Sequence, residues 1–270
     1  MSANIKDKLK QAGISDNTIY YWGYMYDLGQ TYIVPLLKKL NIFKNGDKVA
    51  EIGSAEGGVL HSFLDNGSTE ALGTDIAKTR LEEGQKIAKI LGYNTQYLYH
   101  DIVNQDIMPQ WEEKYNLVIL RDVIEHLDHP DRAISNIRNI ITPGGYLFIT
   151  FPPYNTPYGG HQHTLKGNLI TKLPYIHLLP KSIFFRLIKS GRPQDIIEVK
   201  RLKQLRFDPE KMENIAVKEG YKVEYREFFL IRPVFKMKFG LNPIKLPFAR
   251  NLKILRNYFS LEALYILKKI

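Results

Sequence analysis

The chain of 270 residues contains no cysteine, which excludes disulfides and thiolate-held metals. It has no apolar run near the roughly 18 residues that a membrane-spanning helix needs. Its first residues, MSANIKDKLKQAG, lack the apolar core of a secretion signal. These absences lead us to expect a cytoplasmic protein, at most peripheral to a membrane. Repeats and low-complexity segments are missing too. No G-K-S/T occurs, so a P-loop is excluded. What is present is an ordinary hydrophobic content of 44%, enough for a sizeable core.

Charge is plentiful but uneven. The net charge is +10, yet residues 1–160 hold 15 basic and 19 acidic side chains. Residues 161–206 hold 10 and 2, and residues 232–270 hold 9 and 1. The acidic part and the two basic segments should therefore do different work. A basic surface draws anions such as phosphate, nucleic acid or an acidic membrane. A solvated lysine-rich face is the plainer alternative.

The first half alternates. Short apolar runs DKVAEIG, EALGTDI, TQYLYHDI, YNLVILRD and GGYLFITF read as strands. Between them, EGGVLHSFLDNG and AKTRLEEGQKIAKILG read as helices, each stopped at a glycine, as does PDRAISNIRNII with Ala133, Ile134, Ile137, Ile140 and Ile141 on one face. Strands alternating with helices imply right-handed crossovers and a parallel sheet. Such sheets bind ligands beyond the carboxyl ends of their strands. Those ends are Glu51-Ile52-Gly53-Ser54-Ala55-Glu56-Gly57, Asp75-Ile76, Asp101-Ile102 and Arg121-Asp122. A dinucleotide is a poor fit. The first loop lacks G-x-G-x-x-G, and Glu51 puts a negative charge where a pyrophosphate would lie. A ligand with a cation at that point suits the carboxylate.

In VAEIGSAEGG, LGTDI, YHDI and LVILRDVIEHL, in that order, the chain resembles the class I S-adenosylmethionine-dependent methyltransferases over roughly residues 45–155. The resemblance implies a Rossmann-like three-layer α/β sandwich around a mostly parallel seven-stranded sheet with an antiparallel last strand. It implies S-adenosylmethionine as cofactor. Gly53 and Gly57 would let the backbone approach it, with Ser54 in the same loop and Arg121 at the fourth strand end. Glu51 would lie near its amino acid portion. Asp75, followed by Ile76, would accept from the ribose hydroxyls. Asp101 would meet the adenine amine and Ile102 would pack on the ring. Turn-capping is the structural alternative for Asp75 and Asp101. FPPY at 151–154 follows the fifth strand rather than the fourth, so it does not act as the N-P-P-Y box of amino-group enzymes.

Asp122, Glu125 and His126 fall at i, i+3 and i+4, which one helical face would join. His161 and His163 leave the neighbouring fifth strand in TPYGGHQH. Together these five residues could hold a divalent cation such as Mn, Mg, Fe or Zn. An acid-x-x-Glu-His pattern with a later histidine is similar to that of the small-RNA 3′-end 2′-O-methyltransferases, although GGHQH departs from it. The other reading makes His126, with Glu125, the catalytic acid–base set, as in metal-free small-molecule O-methyltransferases that carry Glu-His-Leu.

We expect a single domain with an aromatic N-terminal cap over 1–44 and a cofactor core over 45–155. A lid insert follows over 156–206, then a C-terminal part over 207–270 with a second basic insert at 232–258. The expected reaction is O-methylation of a hydroxyl or carboxyl on a small molecule, glycan or lipid-linked substrate of anionic character. Contact with an acidic membrane fits the same charges. RNA is the weaker partner, since no RNA-binding module is present. A non-catalytic binding protein on this fold is the rival class.

Overall fold

The structure, a computed structural model, describes residues 3–166 and 169–270. Gly167 and Asn168, inside the expected lid insert, lie outside the described residues. Eight strands form one sheet: β1 (Lys48–Ile52), β2 (Glu70–Asp75), β3 (Thr95–Tyr99), β4 (Tyr115–Arg121), β5 (Ile141–Phe151), β6 (Tyr221–Ile231), β7 (Ile244–Lys245) and β8 (Glu262–Lys269). Their order is β3-β2-β1-β4-β5-β8-β6-β7. The first five run parallel, and β8 enters antiparallel between β5 and β6. The expected seven strands are all there. The eighth, β7, is a two-residue edge strand contributed by the second basic insert.

Eleven helices are described: α1 (Ala3–Gln11), α2 (Asp16–Leu28), α3 (Val34–Lys39), α4 (Gly58–Leu64), α5 (Lys78–Leu91), α6 (Pro130–Ile140), α7 (Lys181–Leu187), α8 (Pro193–Leu205), α9 (Pro209–Lys218), α10 (Val234–Phe239) and α11 (Lys253–Tyr258). Their ends follow local chemistry. Gly92 closes α5 in the left-handed region at φ 78, and Asp208 caps α9 by accepting from the Lys211 amide. Ile141, expected on the α6 face, instead leaves the helix and opens β5.

The core follows strand alternation. On β4, Leu117 and Ile119 face α3 and α4, while Val118 and Leu120 face α6 and α9; all four are fully buried. Two apolar layers on one sheet fix its position, and with it the carboxyl ends of β1, β2, β4 and β5. The strand order reverses between β1 and β4, so the crevice for a ligand opens there. The N-terminal helices do not stand apart from this frame. Trp22 on α2 donates from Nε1 to Nδ1 of His61 on α4 at 3.0 Å. His61 therefore carries its proton on Nε2, which meets the Tyr97 hydroxyl at 2.8 Å, and that hydroxyl reaches the Glu56 carbonyl at 3.3 Å. Burial holds the imidazole neutral, its pKa down at about 3. A one-way chain of donors thus ties the N-terminal cap to the glycine loop.

Among the described residues no helix is long and apolar enough to cross a membrane.

Candidate active site

The loop after β1 is shaped by glycine. Gly53 (φ +72) lies against Val123, whose Cγ2 would be 2.4 Å from an added Cβ. Gly57 (φ +75) leaves only 1.8 Å between such a Cβ and the Tyr97 hydroxyl. Any side chain at either position would be strained twice over, by backbone and by contact. The loop borders a cavity of about 610 Å³ lined by Glu51, Gly53, Ser54, Asp75, Ile76, Asp101, Ile102 and Arg121. Every expected cofactor residue except Gly57 lines it; Gly57 packs beneath the loop against Tyr97.

The polar groups differ in how they are occupied. Asp75 accepts from the amides of Ala55 and Ala77 at 2.9 and 2.8 Å, so it already shapes the loop. Asp101 accepts from the amides of Val103 and Asn104 and from the Asn104 side chain. Burial works against its charge, but those donors hold its carboxyl below the ordinary value. Both are therefore turn-capping residues as well as cavity residues. Glu51 is different. It is buried, and its Oε2 has no hydrogen-bond partner, nor has the Ser54 hydroxyl. Burial pushes its carboxyl up to about 8, although Arg121 pulls the other way. A buried acid with an empty acceptor would be held ionised by an ammonium group placed beside it. The site therefore fits a ligand that brings an amine to Glu51 and hydroxyls to Asp75. At the outer edge Arg80 grips Glu56 through two bonds of 2.8 and 2.7 Å.

A second cavity of about 550 Å³ adjoins the first, and Tyr24, Met25, Arg121 and Asp122 line both. Beyond that shared wall it is enclosed by His161 and His163 after β5, by Lys172, and by Arg232 and α10.

The titratable cluster forms at this junction, in a different shape from the expected one. Asp122 does not share a helical face with Glu125 and His126. It sits in the left-handed region at φ 52, before a short 3₁₀ turn over Ile124–His126. Arg232 takes its carboxylate with two bonds of 2.6 and 2.7 Å and also binds Glu262 at 2.9 Å. Burial opposes the charge on Asp122, but Arg232 and Arg121 hold its carboxyl below the ordinary value. A carboxylate committed to an arginine in this way leaves the expected metal set. His163 falls outside the compact donor set as well, its ring packed on Tyr158 with centroids 5.2 Å apart. What the fold brings together is Glu125, His126 and His161, whose ligand-type atoms all lie within 4.8 Å of one another.

Within that trio the groups are set differently. Both Glu125 oxygens are buried without a partner, and burial pushes the carboxyl up to about 8. Burial, with His126 and His163 nearby, keeps His161 neutral, its pKa down at about 3. His126 donates from Nδ1 to Glu198 on α8 at 2.6 Å, leaving Nε2 facing Glu125 at 3.7 Å. Burial pulls this imidazole down, but the Glu198 bond and the charges of Glu125 and Glu198 outweigh it, so the net shift is upward. The same bond holds Glu198 down at about 2. Arg201, one turn further along α8, clamps Glu198 and reaches Asp128 at 3.3 Å.

Glu198, Arg201 and Arg232 were not legible as site residues. Glu198 and Arg201 lie in PQDIIEVKRLKQL, where charges at helical spacing read as a solvated face. Glu198 meets His126 across 72 residues and Arg232 meets Asp122 across 110.

A family model described as a methyltransferase domain matches residues 21–184. The ubiquinone biosynthesis O-methyltransferase of Coxiella burnetii is 25% identical over 180 residues, covering 65% of this chain and 72% of that protein. Among solved structures, an S-adenosylmethionine-dependent methyltransferase from Mesorhizobium loti aligns with a TM-score of 0.55 at 13% identity, covering 87% of this chain and 96% of that one. Phosphoethanolamine N-methyltransferase 2 of Haemonchus contortus, solved with S-adenosyl-L-methionine, aligns with a TM-score of 0.57 at 16% identity, covering 98% and 60%. At such identities the solved structures bear on the fold alone.

Proposed function

This chain belongs to the S-adenosylmethionine-dependent methyltransferases, and from that premise we propose that it methylates an oxygen acceptor held in the second cavity. The observation that carries the reading is the shared wall. The cofactor crevice and the second cavity meet at Tyr24, Met25, Arg121 and Asp122, with His126 and His161 beside the junction. When bound, S-adenosylmethionine supplies an electrophilic methyl group. Glu51, Ser54, Asp75 and Asp101 are the residues that would hold it.

The chain's own part is positioning and proton removal. Transfer is an in-line displacement, so aligned binding across the two cavities supplies much of the rate. Glu198 fixes His126 as the tautomer with its proton on Nδ1, which leaves the Nε2 lone pair to take a proton from an acceptor hydroxyl. The charge that then forms on the imidazole is balanced by Glu198. The weak kinship to an O-methyltransferase points the same way. The test is a panel of hydroxylated aromatic acceptors beside their amino counterparts, with S-adenosylhomocysteine release as the readout. Turnover confined to the amines would overturn the oxygen reading.

A second reading has its own support. Glu125, His126 and His161 form a compact Glu-His-His set, and Glu198 on the other ring nitrogen of His126 would steady a metal-bound imidazole. Elemental analysis of untagged protein, followed by chelation and reloading with Mn, Mg, Fe or Zn, separates the two. Turnover unchanged by a chelator favours His126 as a free base.

A further inference from the structure

Among the described residues, two lysines of the second cavity form no ion pair. Lys172 donates from Nζ to the carbonyls of His163 and Leu165, which pins it on the loop that carries the histidines. Lys238 on α10 lies 4.5 Å above the Tyr24 ring. Among the described residues neither has a carboxylate within ion-pair distance. The contrast with the same wall is sharp, since Arg232 there is matched by both Asp122 and Glu262. Burial, with Arg232 and Arg121 nearby, pulls the Lys238 ammonium below its ordinary value, and Asp122 only partly offsets this. Beside these charges the cavity is apolar, through Val234, Phe235, Phe239 and Leu261. Val234 and Phe235 share a helical face with Lys238 and Phe239, so one short helix presents both the grease and the charge.

We infer that the second cavity selects an acceptor with an acidic group, carboxylate or phosphate, on an apolar body: the acid lies against Lys172 and Lys238 and the body against α10. This rests on the reading that the second cavity is the acceptor site. A neutral acceptor would leave two lysine charges desolvated and unpaired as it filled the cavity, whereas an acid replaces their water with a charge-assisted contact. Selection of this kind works mostly by rejecting the uncharged analogue.

The experiment uses three probes of one chain length, decanoate, decyl phosphate and decanol, titrated by calorimetry into the full chain saturated with S-adenosylhomocysteine. We expect at least one of the two anions to bind about ten-fold or more tighter than decanol, as a charged hydrogen bond of about 1.5–3 kcal/mol would give. The two anion arms separate carboxylate from phosphate recognition. Lys172→Gln and Lys238→Gln should each remove most of that preference while leaving decanol and S-adenosylhomocysteine binding unchanged, and Lys238→Arg should restore it. Equal binding of anions and alcohol by the wild type, or an undiminished preference in both glutamine variants, overturns the inference. Protein that binds the anions selectively but fails to bind S-adenosylhomocysteine would keep the anion site and contradict the transfer reading instead.

Discussion

The two cavities are built in opposite ways. The cofactor crevice is made from four strand ends, and its polar groups are anchored by neighbours close in sequence: Asp75 by Ala77, Asp101 by Val103 and Asn104. The second cavity is held by a long-range ion pair, Asp122 to Arg232, and His126 at the junction is held by another, to Glu198. Its walls come from the N-terminal cap, the segment after β5 and the second basic insert. The first region is anchored mainly by strand ends and short-range bonds, with the N-terminal cap closing one wall; the second depends more heavily on the docked inserts. The difference matches the roles proposed for them, since a fold that binds one cofactor can vary its acceptor by varying insertions.

If that division is real, single changes should damage one side and spare the other. The largest effect is expected at the junction. His126→Ala should lower turnover by about 10²–10⁴-fold, the range for a lost general base, with S-adenosylhomocysteine affinity nearly unchanged in calorimetry. An equal loss of cofactor affinity would show that the two regions are not separable.

Arg232→Met tests the stitching. It leaves buried Glu262 without its cation and half-buried Asp122 with only Arg121, at 3.4 Å. A fully buried pair broken at one partner costs about 3–5 kcal/mol, and this partly exposed one should cost less, about 1–3 kcal/mol. Urea unfolding should show that loss, while cofactor affinity per folded molecule changes little. A stability change below about 1 kcal/mol would mean that the pair does not hold the insert in place.

Asp75→Ala is the reverse case. It should weaken S-adenosylmethionine binding by about 1–3 kcal/mol through loss of a charged acceptor, and leave anion binding in the second cavity intact. Unchanged cofactor affinity in a folded variant would refute the ribose assignment.

The smallest effect is on pH. His126 is raised, so it stays charged until pH passes above the ordinary imidazole range near 6.5, and a base acts only when neutral. The activity profile should therefore have an acid limb above that value. Glu198→Gln should move the limb to lower pH by about one unit or less. The stability contributed by the ion pair runs the same way. It is present below the ordinary imidazole value and fades as pH rises through the raised one. At the acid end it is lost as pH falls toward the depressed Glu198 value of about 2. A limb that does not move in Glu198→Gln would assign the titration to another group.

How much was legible in the chain follows from the same contrast. The five parallel strands, α5, α6, α9 and the pair β6 and β8 follow from apolar periodicity and from caps such as Gly92 and Asp208, all of them local signals. Gly53, Asp75 and Asp101 could be placed because strand ends in this topology converge on one crevice. The set Asp122, Glu125, His126, His161 and His163 rests on spacing, on neighbouring strand ends and on a family resemblance, and the spacing assumes a helical turn through Asp122. The left-handed backbone at Asp122 breaks that helix, and a partner from 110 residues away takes its carboxylate. Nothing near Asp122 announces Arg232, just as nothing near His126 announces Glu198. Lys172 and Lys238 read only as members of two separate basic segments. Which of many lysines lacks a partner is a property of the assembled fold.

The central claim is that the two cavities are one reaction path meeting beside His126. A crystal structure of the chain with S-adenosylhomocysteine tests it most directly. The account expects the amine against Glu51, the ribose against Asp75, and the sulfur turned toward Arg121 and Asp122 with an open line into the second cavity. A sulfur walled off from that cavity, or an adenosine lying anywhere but along Asp75 and Asp101, would contradict it.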